Sequence, residues 1–242
     1  QVEDECVRRF LLMAVARASA SSTCAQAYLE SDELLEILSD SALRCSSGNW
    51  RQSARALALL AYRAKSQGRV DRLMRHNVIE ALKRMLTLSQ SEFPVDAIRG
   101  FTVWKDHREG LEFLSAHAIW TETLKACSAM KSSTLNYLCA SLLVEATKVD
   151  ASAVRIGLEG LRTLCSLISL DNSQMDTKSR LLFLEALSYL VIASASNKGL
   201  QNMLISAGAR TVLQQAVDLE LGGAGVAEAH TLLMEACDSE TE

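Results

Sequence analysis

Apolar side chains recur along this chain at spacings of three and four residues, in stretches that small or turn-forming residues interrupt at regular intervals. This spacing predicts helices, and no alternating run is long enough to predict a strand. The residues just before an apolar helical stretch lie 45, 40, 43 and 48 positions apart: Asp32, Asn77, His117, Gly160 and Gly208. Alanines that open the core face of a later helix lie 41, 43, 46 and 43 positions apart: Ala56, Ala97, Ala140, Ala186 and Ala229. Two registers with one period predict an all-α solenoid of about five repeats, in which each repeat buries its apolar face on a neighbour.

The predicted repeats cover 24–65, 66–108, 109–150, 151–197 and 198–238. A capping helix is predicted within 1–23 and a frayed tail at 239–242, so that 1–242 forms one continuous solenoid domain. In the first repeat, Ser31 or Asp32 is placed to cap a helix that begins near Glu33. Because the chain starts at Gln1, we expect it to be part of a longer protein.

The composition favours a reducing compartment. The chain has seven cysteines, an odd number with no pair at the two-residue spacing of a zinc or redox site, and it has no Asn-x-Ser/Thr sequon. We therefore predict buried free thiols, no metal site and a cytoplasmic location, with the nucleus as the alternative. The longest apolar stretch, from Leu181 to Ala195, is too short to span a bilayer, so no transmembrane helix is expected.

Three sequence segments resemble the armadillo repeat: GNWRQSARALALLA at 48–61, HNVIEAL at 76–82 and AGARTVL at 207–213. HEAT-like repeats are a related alternative. The resemblance extends over nearly the whole chain and implies three helices per repeat, stacked into a right-handed superhelix. It also implies that the third helices line a concave groove that binds other proteins.

Peptide-binding armadillo proteins carry an asparagine in each third helix, three residues after the alanine, where its amide holds the backbone of an extended ligand. Here those positions are occupied by Leu59, Gly100, Leu143, Tyr189 and Leu232. A side chain without both a donor and an acceptor cannot pair with a peptide group as asparagine does, and unpaired buried amides would cost about 1–3 kcal/mol each. We therefore expect a folded or helical partner surface instead of an extended peptide.

Charge suggests where a partner could bind. Residues 51–108 include twelve basic and five acidic residues, a net charge of +7, whereas the whole chain carries −4. Our hypothesis is an acidic or acid-flanked protein ligand, anchored by Arg63 and Trp104. The alternative is that the arginines form a solvated helix surface and that Trp104 packs between repeats. The predicted groove residues are Arg55, Leu59, Arg63, Arg99, Trp104, Lys105, Leu143 and Tyr189.

The sequence predicts a binding protein and no enzyme. It has no glycine-rich phosphate loop, no Gly-x-Ser-x-Gly motif and no histidine pair at metal-ligand spacing, so no catalytic residue, metal or cofactor is predicted. Its net negative charge makes nucleic acid an unlikely partner. The predicted function is a scaffold or adaptor. Two alternatives are a chaperone cofactor that alters nucleotide exchange and a regulatory segment of a larger motor, kinase or signalling protein.

Uncapped ends would allow end-to-end self-association. The apolar residues that could form those ends are Val2, Cys6, Phe10 and Leu11 in the first helix and Leu232 and Leu233 in the last.

Overall fold

The structure, a computed structural model, describes residues 2–44, 49–64, 67–87, 92–106, 108–173 and 175–238. Within these ranges the regular structure is entirely helical, with fifteen α-helices, one 3₁₀ helix and no strand. The predicted frayed tail at 239–242 lies outside the described residues. No helix in the described ranges is long and apolar enough to cross a membrane.

The chain divides into two compact units, 1–110 and 111–242. The helices that begin in the first unit are α1 Val2–Ala18, α2 Ser22–Leu29, α3 Asp32–Arg44, α4 Asn49–Arg63, α5 Gln67–Arg75, α6 Val78–Leu86, α7 Glu92–Phe101, the 3₁₀ helix Thr102–Asp106 and α8 Arg108–Ala116. Those of the second unit are α9 Trp120–Met130, α10 Ser133–Asp150, α11 Leu158–Ile168, α12 Thr177–Ser194, α13 Lys198–Ser206, α14 Ala209–Asp218 and α15 Gly223–Asp238. A single uninterrupted interior across all five predicted repeats stays a prediction.

Within each unit, the longer helix that closes each repeat packs against the corresponding helix of the next. In the first unit α4 contacts α1 and α7, and in the second α12 contacts α10 and α15. The five alanines of the predicted core register lie one on each of α4, α7, α10, α12 and α15, and all are fully buried. Their small side chains let consecutive helices approach closely, which explains the period seen in the sequence.

The residues of the other register lie near helix starts, but not all lie directly before a helix. Asp32 is the first residue of α3, where Ser31 accepts from the Leu34 amide at 3.2 Å, and His117 lies three residues before α9. Asn77 and Gly208 have left-handed backbone directly before α6 and α14. Gly160, by contrast, is the third residue of α11, and the cap position belongs to Gly157. A Cβ atom at Gly160 would lie 2.8 Å from both Ile156 Cγ2 and Thr121 Oγ1, so close packing explains this glycine.

The fourth repeat lacks the short first helix found in the other repeats. Helices of eight or nine residues occupy that place as α2, α5, α8 and α13. In the fourth repeat, turns and extended backbone at 151–157 connect α10 directly to α11. This segment still buries Val154 and Ile156, so it forms part of the core of the second unit without forming a helix.

We expect Asp176→Ala to destabilise the chain by about 1 kcal/mol, because Asp176 caps α12. Its carboxylate accepts from the Ser179 amide at 2.9 Å and from the Ser179 hydroxyl at 2.7 Å. Burial acts to raise the pKa of Asp176, but these hydrogen bonds outweigh it and hold the pKa below the ordinary value of 3.8. Urea unfolding of wild type and variant measures the difference.

The free energy of unfolding that Asp176→Ala removes should become smaller as the pH falls. A depressed folded-state pKa gives stability that is present above the unfolded pKa and is lost as the pH falls through the folded value. The difference between wild type and Asp176→Ala should therefore be full near pH 7 and smaller near about pH 3. An equal difference at both pH values would contradict the capping role.

Candidate protein-binding surface

A cavity of about 370 Å³ lies between α1 and α4 in the first unit. Its lining combines apolar side chains with two guanidinium groups: Met13, Ala16, Arg17, Ala20, Gln52, Arg55 and Leu59. Met13 and Arg17 are spaced by four residues on α1, Ala20 lies just after the end of this helix, and Gln52, Arg55 and Leu59 are spaced by three and four on α4. Helical periodicity therefore places each set on one face.

Arg55 is held in the cavity wall by a buried aspartate. Its Nε atom lies 2.9 Å from Asp96 Oδ2 on α7, and the Asp96 side chain is only 9% exposed. Arg99 Nη1 lies 3.8 Å from the other carboxylate oxygen of Asp96. A buried carboxylate that pairs with two arginines fixes their positions at low entropic cost. Arg55 and Leu59 thus line the cavity, and Arg99 shares the Asp96 carboxylate with Arg55. That these residues form a binding groove stays a prediction.

Arg17 is the charged residue of this cavity that the sequence did not predict. It lies in the last turn of α1, its side chain is exposed, and it has no ion-pair or hydrogen-bond partner among the described residues. Residues 1–23 were predicted only as a capping helix, with no binding role for their charged side chains. The signal was present, since Arg17 lies 38 residues before Arg55, close to one repeat period.

Arg63 makes a hydrogen bond within the chain. Its Nη2 atom donates to the Ala20 carbonyl oxygen at 2.9 Å, beyond the last residue of α1. The bond ties α4 to the chain just after α1, because the guanidinium satisfies a carbonyl group that the helix end leaves unpaired. Arg63 therefore links the first repeat to the capping segment 1–23, and a role as ligand anchor stays an untested prediction.

Other basic residues of 51–108 make the same kind of link. Arg72 donates to the Glu30 carbonyl oxygen at 2.7 Å, and Arg84 donates to the Ala42 carbonyl oxygen at 2.8 Å. Arg69 pairs with the Glu30 carboxylate at 2.8 Å. Each arginine reaches back about one repeat to the end of a helix, so much of the local positive charge has intramolecular partners.

A histidine adds to these links. His76 Nε2 lies 3.2 Å from Asp32 Oδ1. This hydrogen bond, together with the charge of Arg72, holds the pKa of Asp32 below its ordinary value. Asp32 is at the first turn of α3, where a negative charge also suits the helix dipole.

Two predicted groove residues are wholly inside the protein. Trp104 on the 3₁₀ helix and Leu143 on α10 both have no exposed surface. The Trp104 ring packs on Phe101, with ring centroids 6.3 Å apart, and faces Gly110. A buried ring cannot contact a ligand without local unfolding, which corrects the anchor assignment of Trp104 and favours the alternative of packing. The same reason removes Leu143 from any binding surface.

The last two predicted residues remain at the surface. Lys105 is half-exposed on the 3₁₀ helix, and Tyr189 is half-buried on α12 in the second unit. Near Tyr189, Lys148 Nζ on α10 lies 3.0 Å from the Glu185 carboxylate, and this contact raises the pKa of Lys148. Nearer the start of α12, Lys178 Nζ lies 4.4 Å from the centre of the Tyr137 ring. Ion-pair and cation–π contacts thus link α10 to α12.

Two of the positions that carry asparagine in peptide-binding armadillo proteins are also structurally unsuited to it here. A Cβ atom at Gly100 would lie 2.8 Å from Leu82 Cδ1 and 3.3 Å from Ala58 Cα, because α7 packs closely on α4 and α6. At Leu143 the side chain is buried. These two positions therefore have no room for an amide that faces a ligand.

Apolar side chains are exposed on α1. Val7, Phe10 and Leu11 are 59%, 65% and 62% exposed, whereas Leu233 on α15 is buried. The side chains of Val2 and Cys6 lie outside the described residues. Self-association through the ends stays a prediction.

Metal and thiol chemistry has little support in the described ranges. No group of three or more His, Cys, Asp or Glu residues there could hold a metal ion. Cys127, Cys139 and Cys165 are free and buried, and burial raises the pKa of Cys165 to about 12. A buried thiol with a raised pKa is a poor nucleophile.

No protein-family profile and no curated protein matches this sequence. Solved structures do match. A designed armadillo repeat protein superposes with a TM-score of 0.58 at 14% identity over 94% of this chain and 92% of that one. Computationally designed armadillo repeat proteins for modular peptide recognition give a TM-score of 0.59 at 16% identity over 93% and 91% of the two chains. A designed armadillo repeat protein in complex with a (KR)4 peptide gives 0.55 at 15% identity over 94% and 90%.

The fold is therefore an armadillo-like α-solenoid, as the resemblance implied. Folds of this kind commonly bind peptides or proteins.

Proposed function

We propose that this chain is a non-enzymatic protein-binding scaffold, and that the cavity between α1 and α4 receives an acidic segment of a partner protein. The observation that carries the proposal is the lining of that cavity. It places the guanidinium groups of Arg17 and Arg55 beside the apolar side chains of Met13 and Leu59. A guanidinium group pairs with a carboxylate through two parallel hydrogen bonds, and the apolar wall accommodates a neighbouring aliphatic side chain.

The ion pair with Asp96 supports this role for Arg55. Asp96 contacts the Nε side of the guanidinium at 2.9 Å and orients the group before a ligand arrives. Pre-orientation lowers the entropic cost of binding, which is a large part of the cost of association. Arg17 has no such partner among the described residues, so its charge contributes mainly to attraction of the ligand and to the association rate.

The proposal differs from the hypothesis drawn from the sequence in its anchor residues. Arg63 and Trp104 have partners inside the protein, whereas Arg55, Leu59 and Arg17 line the cavity. The class of ligand, an acid-flanked protein segment, is the same.

Arg17→Glu should weaken binding of an acidic peptide by about tenfold, because it replaces one of two positive charges at the cavity with a negative one. The probe is a fluorescent (Glu-Leu)4 peptide, titrated with the chain and followed by anisotropy at two salt concentrations. A (Lys-Arg)4 peptide serves as the charge-reversed probe. We expect the acidic peptide to bind more tightly and its affinity to fall with salt.

Arg44→Glu is the matched control. Arg44 is exposed on α3, and its substitution changes the net charge by the same amount away from the cavity. Leu59→Gln tests the apolar wall. Equal losses for Arg17→Glu and Arg44→Glu, or tighter binding of the basic probe, would contradict the proposal.

A further inference from the structure

The absence of a first helix in the fourth repeat leaves a groove on the second unit. Its volume is about 470 Å³, and it lies between the start of α9, the segment 151–157 and α13. Its lining is mainly apolar or small: Ala118, Thr121, Ser152, Val154, Arg155, Ile156, Gly157, Asn197, Gly199, Leu200 and Met203. The groove is thus flanked by α13, which is itself the first helix of the following repeat.

The uncharged polar side chains of this groove already make hydrogen bonds within the chain. Asn197 Oδ1 accepts from the Leu200 amide at 3.1 Å, where it caps α13. Thr121 Oγ1 accepts from the Gly157 amide at 3.4 Å, and the Ser152 hydroxyl donates to Asp150. An extended peptide would need partners for its own amide and carbonyl groups, and these side chains offer few. A helix satisfies its backbone internally and needs only an apolar wall.

Arg155 supplies the charge of the groove. It is the one charged residue in the lining, its side chain is exposed, and it has no partner among the described residues. A helix that lies in the groove would therefore bind better with a carboxylate on the side that faces Arg155.

We propose that this groove binds a short amphipathic helix of a partner protein, about two turns long, with an acidic residue beside Arg155. The length follows from the helices that occupy the equivalent place in other repeats, which have eight or nine residues. The partner helix would complete the fourth repeat in the way that a chain's own first helix completes the others. This site is separate from the α1–α4 cavity and does not depend on the function proposed for it.

The test uses two hydrocarbon-stapled helical peptides of about twelve residues, each with leucines at positions i, i+4 and i+7. One peptide carries glutamate and the other lysine at the position next to the leucine face. A scrambled stapled peptide of the same composition is the reference. Anisotropy titration with the full chain should show the glutamate peptide binding most tightly.

A charge swap makes the experiment specific to the groove. Arg155→Glu should weaken the glutamate peptide by about tenfold and strengthen the lysine peptide, because the sign of the facing charge is reversed. Met203→Glu should weaken both peptides, since it places a charge against the leucine face. Arg210→Glu on α14, exposed and outside the groove, is the matched control and should leave both affinities unchanged.

Failure of both stapled peptides to bind better than the scrambled reference would overturn this inference. The inference would also be overturned if Arg155→Glu changed the affinities of the two peptides by no more than Arg210→Glu does. The Arg17→Glu variant separates the two sites: it should lower binding of (Glu-Leu)4 and leave the stapled peptides unaffected.

Discussion

Replacing Trp104 with alanine should lower the free energy of unfolding by about 3–5 kcal/mol, the range for removal of a large buried aromatic side chain. The ring has no exposed surface, and it contacts Phe101 on the preceding helix. Truncation would leave a cavity among the 3₁₀ helix, α4 and α7, elements that pack on one another. Urea unfolding followed by circular dichroism measures the loss.

Gly110 provides a second, linked measurement. A Cβ atom at Gly110 would lie 2.5 Å from Trp104 Cδ1, so Gly110→Ala should cost about 1–3 kcal/mol by overpacking when the ring is present. Once the ring is removed, the same substitution should be neutral or stabilising, because alanine is the better helix former. The two substitutions should therefore be strongly non-additive. Trp104→Phe, which keeps an aromatic ring, should cost less than Trp104→Ala.

These variants also separate packing from ligand contact. If Trp104 packs only in the core, Trp104→Phe should bind the (Glu-Leu)4 peptide as tightly as wild type under conditions where both are folded. A loss of peptide affinity with unchanged stability would return Trp104 to the role of an anchor.

The all-α repeat architecture could be predicted because it depends on short, local patterns. Each alanine of the core register is fully buried, and each lies on the helix that the period placed there. A position between two closely packed helices tolerates little besides a small side chain. The need for a small residue there is therefore visible as a regularly spaced alanine in the sequence. Gly160 was predicted to precede a helix, but glycine also occurs inside helices where neighbouring atoms leave no room for a side chain.

The candidate site was harder to predict because long side chains reach across repeats. Arg55 and Arg63 lie eight residues apart on one helix, yet Arg55 lines the cavity and Arg63 donates to the Ala20 carbonyl oxygen. Helical periodicity gives the face of a residue but not the partner that lies one repeat away. The number of basic residues in 51–108 is therefore larger than the number of arginines available to a ligand.

Trp104 shows a second limit. A 3₁₀ helix follows α7 directly, and its tighter winding changes the direction of the side chain relative to a continued α-helix. Trp104 lies seven residues after Ala97, just as Arg63 lies seven residues after Ala56, but the two side chains would point the same way only if each helix continued without interruption. No residue in 102–106 marks this change clearly in the sequence.

The links between repeats have a measurable consequence at Arg84. Its Nη1 atom donates to the carbonyl oxygens of Ala42 and Leu43 at 2.8 and 3.3 Å, near the end of α3, and the guanidinium lies over the Trp50 ring at 4.0 Å. Charged hydrogen bonds and cation–π contacts in half-buried positions contribute about 2–3 kcal/mol together. Arg84→Ala should lower the free energy of unfolding by that amount, measured by urea unfolding.

Arg84→Lys isolates the part that depends on the guanidinium plane. Lysine keeps the charge but cannot stack on Trp50 and donate to two carbonyl groups with the same geometry, so about half of the loss should remain. Arg44→Ala is the reference for an exposed arginine on α3 that pairs with Asp40 four residues away, and it should cost no more than about 0.5 kcal/mol. If Arg84→Ala costs no more than Arg44→Ala, the arginines of 51–108 do not hold the repeats together. Their charge would then be available to a partner, as the sequence first suggested.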